Sequence, residues 1–454
     1  MNTVVSDKKR VLRAGFWVLA AFGFAQFLRL IGNLITTRLL EPEMFGIMAL
    51  VYAVLAGLAM LTDAGLWAYI VRNKRGDQPE VYNVAWSVQV VRGFLICGII
   101  LSIVIFIQFF LSQDVKDSIG IYGSTSFLMV ITVIGFGSIL NGFVSMAAAI
   151  ESRELKRGKI ELMEVLSQFV GISVMIVWAY LYPTIWALVA ASLVTTLVKF
   201  ILSYSIFPYR HKFNFDQKVI SELYSFSKWI LLASVLTYIA QQGDRLFFGV
   251  KIPADMLGVY GIAVLLSTTI ALVTNQVISK VLFPMYSKVQ GNKYSLSRIY
   301  YKSRLFLDAG LYSITAVLFL ISISIVEFLY DERYHQAGHM LKILILALPG
   351  IALTSAAQEC LTALGKTKIR TLVMFVRMLG LAILLPVGFH YYSMMGAVVA
   401  VAINPWLGLP VLIYKMNKEG LYDWKKEFRA VPIGLLVLTI TYLIMVNVFD
   451  QVVI

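Results

Sequence analysis

The chain has 454 residues, 59% of them hydrophobic and only 14% charged, with a formal net charge of +14. A soluble domain of this length needs far more polar surface, so the composition excludes a soluble enzyme or binding module and describes a polytopic membrane protein. The excess of basic residues raises nucleic acid as a partner, but the placement of those residues along the chain removes it.

Apolar runs of about 20 residues recur along nearly the whole chain, which suits α-helical spans and not the alternating strands of a β-barrel. In chain order the predicted spans are 14–39, 45–71, 83–111, 121–149, 162–182 and 184–207. They continue with 226–249, 257–283, 304–330, 338–363, 370–392, 394–415 and a thirteenth at 430–449. The basic head Lys8, Lys9, Arg10 and Arg13 precedes a span too long for a signal h-region, so the first helix is expected to act as its own insertion signal. Cys97 and Cys360 both fall inside spans and read as small packing residues, not as a disulfide or a metal pair.

Numbering the loops alternately places about 29 of the 39 basic residues on one side, while the opposite loops hold Lys116, Lys251 and Arg333. This is the positive-inside pattern, so the N-terminus is expected in the cytoplasm and the basicity records topology. The outer loops are short, which speaks against a membrane-embedded glycan polymerase or ligase with an outer active site.

An eight-residue phrase occurs twice, 212 residues apart. Glu43-Met44-Phe45-Gly46-Ile47-Met48-Ala49-Leu50 matches Asp255-Met256-Leu257-Gly258-Val259-Tyr260-Gly261-Ile262, each copy at a break between two apolar runs. Six predicted spans separate the copies, so the two halves share one orientation. The expected fold is all-α: two six-helix lobes in a parallel pseudo-twofold repeat, with about one extra C-terminal helix. The expected boundaries are 1–207 for the first lobe, 208–225 for a cytoplasmic connector, 226–416 for the second lobe, and 417–454 for a loop and the additional helix. A repeat of this kind holds a ligand between its halves and points to a transporter.

Five basic residues fall inside apolar runs: Arg29, Arg92, Lys199, Arg245 and Arg377. Each costs about 2.5–3.5 kcal/mol at a helix centre, so most are expected to face water or a partner. Helical spacing agrees. Gln26, Arg29 and Asn33 form one stripe on the first span, and Ser234, Tyr238, Gln241 and Arg245 form another on the seventh. Gln89 accompanies Arg92, Asn275 lies on the eighth span, and Gln242 adjoins Gln241. Arg92, Lys199 and Arg377 lie near span ends and have snorkelling to lipid headgroups as the alternative reading. Asp63 and Asp244 are candidates for ion coupling, with neutralisation of a nearby arginine as the competing role. Cations outnumber carboxylates in these stripes, which favours an anionic substrate, and guanidinium forks suit a phosphate or diphosphate. No nucleophile motif, metal-ligand spacing or phosphate-loop signature occurs, so no cofactor and no metal are expected.

Several passages together resemble the polysaccharide transporter family, the Wzx-type oligosaccharide-lipid flippases, within the superfamily that includes the MATE drug exporters. They are Thr37-Arg38-Leu39-Leu40-Glu41-Pro42-Glu43-Met44-Phe45-Gly46, Ser152-Arg153-Glu154-Leu155, Trp186-Ala187-Leu188-Val189 and Phe226-Ser227-Lys228-Trp229-Ile230. Gln242-Gly243-Asp244-Arg245-Leu246, Leu257-Gly258-Val259-Tyr260 and Val281-Leu282-Phe283-Pro284 complete the set. The resemblance covers essentially the full chain. It implies a bacterial inner-membrane protein with a V-shaped MATE-like fold and cation-coupled alternating access. Its substrate would be an undecaprenyl-diphosphate-linked glycan, moved from the cytoplasmic to the periplasmic leaflet for surface polysaccharide biosynthesis. Glycosyltransferases and a polymerase of the same pathway are the implied partners. The motif residues carried over are Gln242, Gly243, Asp244 and Arg245; the odd thirteenth span departs from the twelve or fourteen usual in the superfamily. On this reading Arg29, Arg245, Arg92 and Arg377 grip the diphosphate. Gln26, Asn33, Gln89, Gln241, Gln242 and Asn275 line the path for sugars. A cation-coupled drug or metabolite antiporter of the same fold is the alternative.

Overall fold

The structure, a computed structural model, describes residues 23–62, 65–153, 158–427, 429 and 431–452. Among them no strand occurs. The helices are α1 (23–39), α2 (Pro42–Leu61), α3 (Leu66–Arg72), α4 (Pro79–Phe110), α5 (Gln113–Ser118), α6 (Thr125–Phe143), α7 (Ala147–Arg153), α8 (Gly158–Leu181) and α9 (Trp186–Ser205). They continue with α10 (Gln217–Lys251), α11 (Ala254–Val277), α12 (Phe283–Lys288), α13 (Lys293–Leu329), α14 (His335–Leu344), α15 (Ala347–Ala363), α16 (Lys368–Ile403), α17 (Leu409–Lys418), α18 (Trp424–Glu427) and α19 (Val431–Val452).

The helix starts are written in the sequence. Pro42 and Pro79 stand in the first turns of α2 and α4, where no amide proton is needed, and Glu43 and Glu80 follow toward the positive end of each helix dipole. Ser124, Asp216 and Asn292 cap α6, α10 and α13 by accepting from the backbone N–H of Phe127, Lys218 and Ser295. Both copies of the repeated phrase begin a long apolar helix, with Glu43 in the first turn of α2 and Asp255 in the first turn of α11.

Among the described residues, eight helices are long and apolar enough to cross a membrane, or nine if a bent pair forms one span. The stretch Lys368–Lys418 has 51 residues, which at about 1.5 Å per residue is more than twice a hydrocarbon core of ~30 Å. It is two crossings joined at a kink, where Tyr392 leaves helical geometry and Ser393 takes φ 48°. Gly388 and Gly396 flank that kink. A Cβ on either would lie 2.4 or 2.1 Å from the other's carbonyl oxygen, so only glycine lets the chain double back there. The kink falls where hydropathy divides 370–392 from 394–415.

Other predicted spans are interrupted. The run 45–71 ends its first helix at Leu61; Gly65 then takes φ 62° and α3 begins. The run 121–149 breaks between Phe143 and Ala147, and 338–363 is α14 and α15 meeting at a 42° bend. Hydropathy averages over such breaks because the turn residues are themselves apolar. In the other direction, α10 starts at Gln217, well before the predicted 226, because the Asp216 cap begins the helix in polar sequence.

The chain divides into two compact units, Met1–Val235 with Arg245–Leu257 and Leu236–Asp244 with Gly258–Ile454. In the first, α4 and α6 pack so closely that a Cβ at Gly93 would lie 2.6 Å from the Ser138 carbonyl oxygen. A cluster including Leu66, Ile70, Val84, Trp86 and Ile150 forms one end, and Val219 and Leu223 of α10 join it. The extended segment before α10 is tied to the same end, Lys212 N–H donating to Asn83 Oδ1 (3.2 Å) and Asn214 N–H to Ser87 Oγ (2.9 Å). Within that segment His211 stacks on Trp86, with ring centroids 5.4 Å apart, and its Nε2 pairs with Ser145 Oγ at 2.7 Å. Burial there pulls the imidazole pKa down to about 4, so His211 is held neutral.

In the second unit α13 carries Arg304, 2% exposed, which donates to Asp308 Oδ2 (2.7 Å), to the Tyr300 hydroxyl (3.0 Å) and to the Glu427 carboxylate. This sealed cluster fastens α18 to α13. An apolar core including Tyr286, Leu296, Cys360, Val373 and Leu412 packs beside it.

Candidate functional site

The first unit holds an open cavity of about 510 Å³ lined from α2, α3, α4, α6, α7, α8 and α9 and from the break between α6 and α7. Its charged lining residues, among those described, are Arg92, Lys199 and Glu164; Gln89, Ser138, Asn141, Ser192 and Thr196 add hydrogen-bonding groups, and Tyr52 and Trp67 add aromatic walls. All stand on helices apolar enough to span a membrane, apart from Trp67 on short α3.

The α2 break positions Arg92. Its Nη2 donates to the Ala59 carbonyl at 2.6 Å and its Nε to Thr62 Oγ1 at 3.0 Å, so the guanidinium caps one carbonyl of the last turn of α2 and the hydroxyl of the residue that ends it. Thr62 in turn donates to the Leu58 carbonyl at 2.7 Å. The α6 break does the same for Gln89, whose Nε2 donates to the carbonyls of Gly142 and Val144, each at 2.9 Å. Two interrupted helices therefore turn their carbonyl ends toward α4, and one turn of α4 answers both. Across the cavity, Lys199 Nζ on α9 and Glu164 Oε1 on α8 form an ion pair at 2.5 Å with both side chains partly open.

The other sequence candidates are distributed through the two units. Arg29 is exposed on α1 and makes no hydrogen bond or ion pair with the described residues; Gln26 and Asn33 are half-buried on the same helix. Arg245 and Gln242 are half-buried on α10 and Gln241 is exposed. Arg377 Nε donates to Asn404 Oδ1, and Asn275 Oδ1 accepts from Ser355 Oγ at 2.9 Å. Asp244 is buried and accepts from the Tyr260 hydroxyl, leaving its Oδ1 without a partner. Asp63 lies outside the described residues. The structure thus brings Arg92 and Gln89 into one cavity, places Asn275 and Arg377 in polar pairs of the second unit, and leaves Arg29 open on α1.

Glu164 and Lys199 were not assigned to the site from sequence, although Lys199 stood among the basic residues inside apolar runs; their pairing was not foreseen. The polar face that Lys199 shares was legible as well: Ser192, Thr196 and Lys199 stand at i, i+4 and i+7, the kind of stripe spacing that marks α1 and α10.

A family model described as polysaccharide biosynthesis protein matches residues 35–339. The chain is similar to the lipopolysaccharide biosynthesis protein WzxC of Escherichia coli (strain K12), 21% identical over 75% of this chain and 67% of that protein. It is similar to the succinoglycan biosynthesis transport protein ExoT of Rhizobium meliloti (strain 1021), 22% identical over 64% of this chain but only 57% of that relative's length. Its fold matches the lipid II flippase MurJ in an inward closed conformation, with a TM-score of 0.68 and 13% identity over 96% of this chain and 99% of that one.

Proposed function

The chain belongs to the polysaccharide biosynthesis protein family, and we propose that it is a flippase that carries a polyprenyl-diphosphate-linked oligosaccharide from the cytoplasmic to the periplasmic leaflet of a bacterial inner membrane. It is a transporter and not an enzyme. The observation that carries this reading is the first unit's cavity, where guanidinium, ammonium, amide and hydroxyl groups converge on spanning helices. Groups of that kind at membrane depth are costly unless they line a path for a polar substrate.

In this reading the chain forms two six-helix lobes followed by α19, with its N-terminus in the cytoplasm. Arg29, Arg92, Arg245 and Arg377 supply the diphosphate contacts. Gln26, Asn33, Gln89, Gln241, Gln242 and Asn275 offer amides to sugar hydroxyls, and the isoprenoid chain stays in lipid. Glycosyltransferases and a polymerase would act before and after translocation. Among the described lining residues, two cations face one carboxylate, a balance that favours an anionic headgroup over the organic cations of a drug antiporter.

The test is translocation in proteoliposomes. Full-length protein should move an undecaprenyl-diphosphate-linked glycan to the opposite leaflet, scored by access of an added glycan-modifying enzyme. Movement no faster than in protein-free vesicles, with efflux of a cationic dye instead, rejects the flippase in favour of the antiporter.

A further inference from the structure

We propose that the wedge between the ends of α1 and α8 in the first unit is a structural lipid site, and that its occupant is a phospholipid with a phosphoethanolamine headgroup. The site is separate from the polar cavity. It requires only that α8 crosses the membrane, and so it stands apart from the flippase reading.

The wedge follows from how the two helices meet. Gln168 Nε2 on α8 donates to the Ala25 carbonyl on α1 at 3.1 Å, and further along both helices a Cβ at Gly32 would lie 2.8 Å from Ile172 Cγ2. Glycine at that position lets the helices touch. Past the contact they leave an open gap of about 460 Å³, walled by Ile35, Leu39, Ile176 and Val177 and, toward the helix ends, by Arg38 and Tyr180. The wall on α8 lies within residues 176–181, about 8 Å of helix axis at ~1.5 Å per residue. That is roughly half of one leaflet of a hydrocarbon core of ~30 Å, so the gap takes the upper part of an acyl chain, next to its headgroup. Its walls are apolar and give water no partner, which leaves hydrocarbon to fill it.

Depth and charge select the headgroup. The sequence of α8 is apolar from Phe169 to its end, where Tyr180 and Tyr182 are 77% and 66% exposed, the place of an aromatic belt at a membrane boundary. Arg38 is exposed in the last turn of α1 and contributes to the apolar wall, so its stem lies along hydrocarbon and its guanidinium reaches the headgroup layer. Three residues on, exposed Glu41 opens α2, and its carboxylate does not cap that helix. A cation and an anion this close at headgroup depth complement a phosphate joined to a primary ammonium. The guanidinium donates to the phosphodiester as a fork, and the carboxylate accepts from the ammonium. A headgroup with negative charge alone meets the Glu41 carboxylate unfavourably, a diphosphate more so, and a choline has no N–H to donate.

The experiment strips full-length protein of lipid in detergent and adds phosphatidylethanolamine, phosphatidylglycerol and phosphatidylcholine in equal amounts. Native mass spectrometry then counts and identifies the lipids retained. Wild-type protein should hold the ethanolamine lipid about fivefold over the other two, the scale of one ion pair at a wet surface. Val177 is 58% exposed, so Val177→Trp fills the gap without entering the core, and this variant should lose one bound lipid. Arg38→Gln should lose it as well, whereas Glu41→Gln should keep a phospholipid and turn the preference toward phosphatidylglycerol. The headgroup series on unaltered protein decides the matter even if a variant fails to fold. Equal retention of the three lipids, or an ethanolamine preference that survives in Val177→Trp, overturns the site. Displacement of the bound lipid by equimolar undecaprenyl phosphate overturns it in favour of an isoprenoid chain, and a dimer that Val177→Trp breaks overturns it in favour of a second copy of this chain.

Discussion

Arg377 and Asn404 grip each other twice: Arg377 Nε donates to Asn404 Oδ1 at 2.8 Å, and Asn404 Nδ2 returns a bond to the Arg377 carbonyl at 3.1 Å. Asn404 is 3% exposed and opens the short turn, Asn404–Gly408, that follows α16. The pair thus fixes the path of the chain as well as the aim of the guanidinium. Asn404→Leu should lower stability by about 1.5–3 kcal/mol, because a charged donor loses its acceptor in a buried place. A fall in the thermal midpoint of the detergent-solubilised protein checks it; an unchanged midpoint shows that Arg377 has other support.

Arg29 stands at the opposite extreme, exposed on α1 with no hydrogen bond or ion pair to the described residues. Its removal costs no internal contact there, so Arg29→Ala should reach the membrane at normal levels and keep the wild-type thermal midpoint. Glycan translocation should nonetheless fall by at least tenfold, the loss of about 1.4 kcal/mol of headgroup binding. Full translocation by this variant takes Arg29 out of the site.

The connector carries a pH dependence of stability that is separate from transport. His211 has its folded pKa lowered from 6.5 to about 4 by burial. Between those values the unfolded chain binds the extra proton, so stability falls as the pH drops through this window. Above the window the imidazole is neutral in both states and adds no slope. Thermal midpoints from neutral to acidic pH should show this decline in wild type, and His211→Gln should flatten it. An equal decline in the variant assigns the acid sensitivity to other groups.

Glu427 reaches the buried Arg304 from α18, far along the chain from α13. Glu427→Ala leaves that guanidinium buried with one carboxylate fewer, and the expected loss is about 3–5 kcal/mol. Limited proteolysis should then cut near 417–430 much faster than in wild type. Resistance equal to wild type shows that α18 is held by its apolar contacts alone.

The order of amino acids determined by itself that this is a helical membrane protein of many spans, because about 20 apolar residues in a row have no other stable use. It also marked where polar groups enter the spans. Arg92 with Gln89, and the stripe ending in Arg245, are legible because helical periodicity puts residues three, four and seven apart on one face. The position of the α16 kink followed from hydropathy as well. Tertiary structure alone decided what those groups touch. That Glu164 meets Lys199 depends on how α8 and α9 rotate against each other, and nothing local to either helix specifies it. The same holds for Arg92, whose partners are the Ala59 carbonyl, in the last turn of α2 where the helix stops at Leu61, and the Thr62 hydroxyl just beyond it. Hydropathy sees energy of transfer and is blind to the direction of a hydrogen bond. Whether a membrane arginine caps a helix, pairs with an amide or stands open to a ligand is therefore settled by packing.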